Sequence, residues 1–104
     1  MSDFNQLNSI PRSKYFAFKD LAFVVGDSPA THDIEASLSR EGIDGWLVCD
    51  GDGDIDIELS SDGTTFGDKI RLIAFEILHL SPMSIKKIRI THTGTDSAYR
   101  GFVI

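Results

Sequence analysis

The densest set of potential ligands in the chain is five carboxylates at alternate positions, Asp50, Asp52, Asp54, Asp56 and Glu58. Hard divalent cations take oxygen ligands of this kind. Asp50, Asp52 and Asp54 have the 1-3-5 spacing of an EF-hand loop, and Asp56 falls at position 7. Position 6 is Ile55, however, where that loop needs Gly, and position 12 is Ser61, where it needs Glu. A calcium site of another kind, built on Asp50, Asp52 and Asp54 in a β-turn, remains the alternative; no metal or cofactor is expected. His32, His79 and His92 lack metal-ligand spacing, and each lies in an alternating or apolar run, which suits a structural histidine. The single cysteine, Cys49, follows Leu47 and Val48 and has no basic neighbour to lower its pKa, so it reads as a small buried hydrophobe. There is no Gly-x-Ser-x-Gly elbow, and Gly51 and Gly53 precede a strand, not a helix N-terminus that could cradle phosphate. The carboxylate pairs sit at i, i+2 on a strand whose polar side should face water, away from any apolar pocket that would raise a pKa for acid catalysis. The chain is therefore expected not to be an enzyme.

The elements that would carry these residues are strands. Asp54, Asp56 and Glu58 alternate with Ile55, Ile57 and Leu59, which predicts a strand with carboxylates in water and aliphatics in a core. Asp50-Gly51-Asp52-Gly53 before it is a turn, and Ser60-Ser61-Asp62-Gly63-Thr64 after it is a hairpin loop. Tyr15 to Phe18 and Leu21 to Val25 read as strands, and Gly26-Asp27-Ser28-Pro29 breaks the chain. Thr31 to Leu38 alternates with His32, Ile34, Ala36 and Leu38 on one face, so it too reads as a strand. Trp46 to Cys49 is a short apolar strand expected to give the core its largest side chain. Lys69 to Leu80 reads as one bent strand or two, with a helix as the competitor because Ile70, Ile73, Ile77 and Leu80 fit a helical stripe. Ile85 to Thr93 points Ile88, Ile90 and His92 inward and Lys87, Arg89 and Thr91 outward, and Ala98 to Ile104 closes the sheet. Eight or nine short strands separated by turn chemistry predict an all-β fold, a single β-sandwich of jelly-roll or immunoglobulin-like topology over residues 15–104. Residues 1–14 are polar with spaced Phe4, Leu7 and Ile10, which predicts an extended N-terminal arm whose apolar residues anchor on a partner, with a disordered tail as the alternative.

With 104 residues, 41% of them hydrophobic, the chain has the size and composition of one globular domain. One cysteine rules out an internal disulfide framework, and neither a membrane-spanning run nor a signal-peptide pattern is present. Residues 1–68 hold fourteen acids and four Lys/Arg, whereas residues 69–104 hold two acids and six Lys/Arg. An acidic surface of this extent argues against nucleic acid as a partner. The basic cluster Lys86, Lys87, Arg89 and Arg100 could meet the acidic strand Asp54–Glu58 of another copy; alternatively, both signs mix on the surface of one sandwich.

The segments GDGDIDIELSSDGTTFGDKIRL and SIKKIRITHTGTDSAYR resemble a class of small β-sandwich virion proteins of tailed bacteriophages. In that class a short strand leads into an Asp-Gly hairpin and a basic strand pair ends the domain. Here the likeness rests on Asp54 to Leu59, Ser61-Asp62-Gly63-Thr64, Gly67-Asp68, Ile88 to His92, Asp96 to Arg100 and the Gly26-Asp27-Ser28-Pro29-Ala30 turn. It covers roughly residues 25–100 and leaves the arm out. The resemblance implies a non-enzymatic capsid decoration or cement protein, or a fibre or tail component. It implies location in the virion, a homo-oligomeric state, and the major capsid protein or another virion protein as partner, with no nucleic acid and no membrane. Independently of the resemblance, the residues themselves give the expected partner contacts: Phe4, Leu7 and Ile10 as apolar anchors, and Lys86, Lys87 and Arg89 as the basic face. A carbohydrate-binding sandwich that presents Trp46, Tyr15 or Tyr99 as a stacking platform is the second expectation.

Overall fold

The computed structural model describes residues 15–81 and 83–104, and the anchors Phe4, Leu7 and Ile10 lie outside them. Eight strands form two antiparallel four-stranded sheets packed face to face: β1 (Phe16–Phe23), β2 (Ala30–Asp33), β3 (Gly45–Cys49), β4 (Ile55–Ser60), β5 (Ile70–Leu72), β6 (Ile77–Leu80), β7 (Lys87–His92) and β8 (Ser97–Val103). One sheet has the order β1-β8-β3-β6 and the other β2-β7-β4-β5. First pairs with last, second with seventh, third with sixth and fourth with fifth, and successive pairs alternate between sheets. That nested order settles the topology as a jelly roll.

The core lies between the sheets and is built by period-two alternation. Ile55 and Ile57 of β4 and Ile88 and Ile90 of β7 line one side of it, Ile57 directly opposite Ile90, with Leu47, Cys49, Leu80, Tyr99 and Val103 supplied by the other sheet. The thiol of Cys49 is buried and lies 3.2 Å from the Gly53 carbonyl oxygen and 3.4 Å from the Ser97 hydroxyl, so it packs the Asp50–Gly53 turn onto β8. Both glycines of that turn are required by close approach. A Cβ at Gly51 would collide with the Ala98 amide nitrogen, and one at Gly53 with the Thr95 carbonyl oxygen.

Several expectations are corrected. Thr31 to Leu38 is not one strand: β2 ends at Asp33, and a single-turn helix, α1 (Ile34–Leu38), follows. The Asp33 carboxylate caps it by accepting the Ala36 amide at 3.0 Å, and Ile34 and Leu38, four apart, are both buried. An i, i+4 pair fits two turns of alternation as well as one face of a helix, and the cap decides between them. The first two predicted strands are one, β1, with an irregularity between Asp20 and Phe23. The Lys69–Leu80 stretch, by contrast, agrees with one of its expected forms: it is two strands, split by a turn at residues 73–76.

Asp56 and Glu58 are also not in open water. The register of β4 is as expected, but both residues are only 8% exposed, because arginines from the flanking strands lie over them. Ile57→Asp should cost at least ~3 kcal/mol in denaturant unfolding, since it places a charge between the sheets. Asp56→Asn should cause a smaller but measurable loss, and that loss should largely vanish in an Arg71→Gln background. Additive effects of the two substitutions would show that the pair does not act as a unit.

Candidate binding face

Pleating divides the β1-β8-β3-β6 sheet into an inner and an outer side. On β3, Leu47 and Cys49 point into the core, so Trp46 and Val48 point out. On β8, Tyr99 and Val103 are buried, which sends Arg100 and Phe102 outward. The register aligns these residues across the sheet. Ala17, Phe102, Trp46 and His79 form one row, and Lys19, Arg100, Val48 and Ile77 form the next. The Trp46 ring stacks on Phe102 at 6.3 Å and 22°, and Tyr15 lies 5.4 Å from Phe102 on its other side. Trp46 is 37% exposed, Tyr15 61% and Ile77 53%.

Trp46 is therefore not the largest core side chain, which corrects the expectation for β3. Tyr99, the third residue considered as a platform, is buried inside the sandwich. The parity of β8 carried the missing signal: Arg100 marks the outer side, and Phe102 shares it. Two shallow depressions of about 290 and 250 Å3 flank Arg100, whose guanidinium is held by Asp50 at 2.6 Å. A row of three aromatic rings with aliphatic neighbours on an open sheet can bury apolar surface against a partner or stack on a planar or ring-shaped ligand.

The charged residues of the other sheet are arranged differently. The acidic strand β4 and the basic strand β7 are neighbours, with Glu58 opposite Arg89 and Ser60 opposite Lys87. Arg89 donates two hydrogen bonds to Glu58, at 3.2 and 2.8 Å, and its guanidinium lies 4.0 Å over the Phe66 ring. The Arg89 hydrogen bond holds the Glu58 carboxyl below its ordinary pKa. Arg71 donates to Asp56 at 2.6 Å and reaches Asp54 at 3.5 Å, while Lys86 pairs with Glu35 at 3.4 Å. The contact expected between copies, acidic strand against basic strand, is thus made within one chain. Of the expected basic contacts, Lys86 and Arg89 are already paired, and Lys87 is half-buried opposite Asp33 and Ser60.

The candidate ligands are dispersed. Asp50 is bound by Arg100 and Asp54 by Arg71, and among the described residues no group of three or more His, Cys, Asp or Glu is placed to hold a metal ion. His92 pairs with Asp96 at 3.0 Å, His79 is on the outer face, and His32 lies inside. His32 Nε2 is 2.9 Å from the Tyr99 hydroxyl, and its ring stacks on Phe18 at 4.5 Å. Burial lowers the pKa of His32, with Asp20 opposing, and burial pushes the Tyr99 phenol up to about 12.

Two outcomes follow. Because the unfolded chain takes up a proton on His32 before the folded one does, stability should be full above pH 6.5 and fall below it, as His32 protonates. Glu58 acts lower: its contribution is present above pH 4.5 and is lost as acid protonates the carboxylate. Melting temperature against pH should show both steps, and His32→Phe should remove only the upper one; an unchanged profile would refute the assignment. Melts in millimolar calcium and in chelator should coincide, since arginines already occupy two of the three carboxylates; an upward shift abolished by Asp52→Ala would reveal a site.

No family model matches this chain, and no curated protein matches it in sequence. Among solved structures, the crystal structure of cobalt(II) HppE in complex with substrate is similar over 86% of this chain, at a TM-score of 0.51 and 9% identity. The chain spans 43% of the length of that protein. A likeness at this identity concerns the fold alone: two sheets wound as a jelly roll.

Proposed function

We propose that the chain is a non-enzymatic virion structural protein of a tailed bacteriophage, a decoration or cement protein that docks on the head shell through the outer face of the β1-β8-β3-β6 sheet. The observation that carries this reading is the outward row Tyr15, Phe102 and Trp46, exposed at Tyr15 and Trp46 and half-buried at Phe102, with exposed Ile77 beside it. Apolar side chains gathered on one open sheet face are a liability unless a partner covers them. On the opposite sheet Arg71 and Arg89 pair with the carboxylates of β4 and its flank, which leaves that side suited to face water. A shell repeats its binding site many times over, so modest affinity per copy suffices where copies also contact one another. The sequence resemblance supports the virion setting.

A second reading is favoured by the same Trp46. An exposed indole on an open sheet can stack on the apolar face of a sugar ring, which suits a fibre or tail component that attaches to host glycans.

Mass spectrometry of purified particles from the source that encodes the chain should detect it at many copies per particle. Particles stripped of it should rebind the wild-type protein, and Trp46→Ser should reduce occupancy at least tenfold while leaving the melting temperature nearly unchanged. Trp46 emission should be red-shifted in the free protein and shift to the blue on docking. Quenching by added glycans, with no particle binding, would sink the decoration reading in favour of the second one.

A further inference from the structure

The connections at residues 24–29, 50–54, 73–76 and 93–96 meet at one end of the sandwich. Contacts bind them together: His92 N to Ser28 Oγ at 2.9 Å, Phe75 N to the Cys49 carbonyl at 2.6 Å, Thr93 Oγ1 to the Asp54 carbonyl at 2.7 Å and Ser97 Oγ to the Gly53 carbonyl at 2.6 Å. This end displays apolar side chains at its tips. Leu21, Val25, Ile73 and Phe75 are all more than half exposed.

Phe75 is the most unusual of them. It is 69% exposed and sits at φ 65°, a left-handed conformation that a bulky side chain rarely adopts. The turn is held by the Phe75 amide on Cys49 and by the Glu76 carboxylate, which accepts the Ile73 amide at 3.2 Å. A strained turn that points an aromatic ring into solvent is the kind of feature found at contact sites. Around the tips lie Asp27, Asp52 and Glu76, and none of these three makes an ion pair among the described residues. A cleft of about 410 Å3 between Leu21, Val24, Asp52 and Asp96 opens on the same end. The end is therefore apolar at its tips and negative at its rim.

The stretch of this chain with the complementary character is residues 1–14. It carries Phe4, Leu7 and Ile10 at a spacing of three, with Arg12 and Lys14 against the single acid Asp3. It joins the sandwich at Tyr15, and β1 then runs from Phe16 toward the loop end, so the join is at the opposite end. Fourteen residues reach up to ~50 Å when extended. We infer that the loop end around Ile73 and Phe75 is the receptor for residues 1–14 of a second copy. The apolar anchors bury against the tips, and Arg12 and Lys14 meet the carboxylate rim. The contact joins different surfaces of the two partners, so it closes as a reciprocal exchange between two copies or propagates into a ring or a chain. It is independent of the outer sheet face and stands or falls separately from docking on a shell.

The test uses the full chain. Sedimentation velocity should show wild-type self-association that weakens from low to high salt, as rim charges predict. A segment variant (Phe4→Ser, Leu7→Ser, Ile10→Ser) and a loop variant (Ile73→Ser, Phe75→Gly) should each be monomeric at concentrations tenfold above the wild-type midpoint. Glycine suits the backbone at position 75, so the loop variant keeps its fold, and its melting temperature checks this. Mixed together, the two variants should form one-to-one complexes only, because the loop variant supplies the segment and the segment variant the receptor. A fluorescent peptide of residues 1–14 should bind the segment variant and lose at least tenfold in affinity for a protein that also carries the loop substitutions. A monomeric wild type, no complex in the mixture, or peptide binding indifferent to the loop substitutions would each overturn the inference.

Discussion

The contact between β4 and β7 is the interaction on which the rest of the structure depends. It joins the acidic half of the chain to the basic half as adjacent strands, with Glu58 opposite Arg89 on one side of the sheet and Ile57 opposite Ile90 on the other. One register therefore satisfies two demands. A slip by one residue would send the isoleucines into solvent and the carboxylates between the sheets, so the hydrophobic and electrostatic terms agree on a single alignment. Exposed ion pairs contribute little by themselves, and burial of the isoleucines dominates the energy. The arginines add specificity: each lies over a carboxylate that would otherwise repel its neighbours on the same strand.

Much of the fold was legible in the sequence because alternation and turn chemistry are local. The strand from Ile55, the Asp62-Gly63 loop and the inward set Ile88 and Ile90 follow from residue order alone. In the loop, the Asp62 carboxylate accepts the Thr64 and Thr65 amides, and Gly63 takes a positive φ. These hydrogen bonds hold the Asp62 carboxyl at about 2. What was not legible depended on distant neighbours. Whether Asp56 faces water is decided by Arg71, fifteen residues away, and whether Trp46 is core is decided by which side of β3 the opposite sheet covers. In a short run such as Trp46-Leu47-Val48-Cys49 every residue is apolar, so composition cannot report the side. The candidate face was legible only in part, since Tyr15 and Trp46 were visible as aromatic residues while Phe102 acquires its place from pairing with both.

The two sheets divide their labour by chemistry. In β2-β7-β4-β5 the outward polar groups close on one another, as in the Arg71 contacts to Asp54 and Asp56. In β1-β8-β3-β6 the outward groups include rings and aliphatics with no covering layer among the described residues. A jelly roll can carry catalysis, binding or assembly, so the fold assigns none of them. The difference between its two outer surfaces is more informative than the fold itself.

The nested strand order has a consequence for how the chain reaches this structure. Among the described residues β1 pairs only with β8, the last strand of the sandwich. During synthesis, the aromatic strand that opens the sandwich has no partner until β8 has emerged. Closing such a long loop is entropically slow, and during that delay Phe16, Phe18 and Phe23 are available to any other strand edge nearby. The pairing that completes the sandwich is thus also the step most exposed to misassembly, and crowding of nascent copies at one assembly site would sharpen that competition.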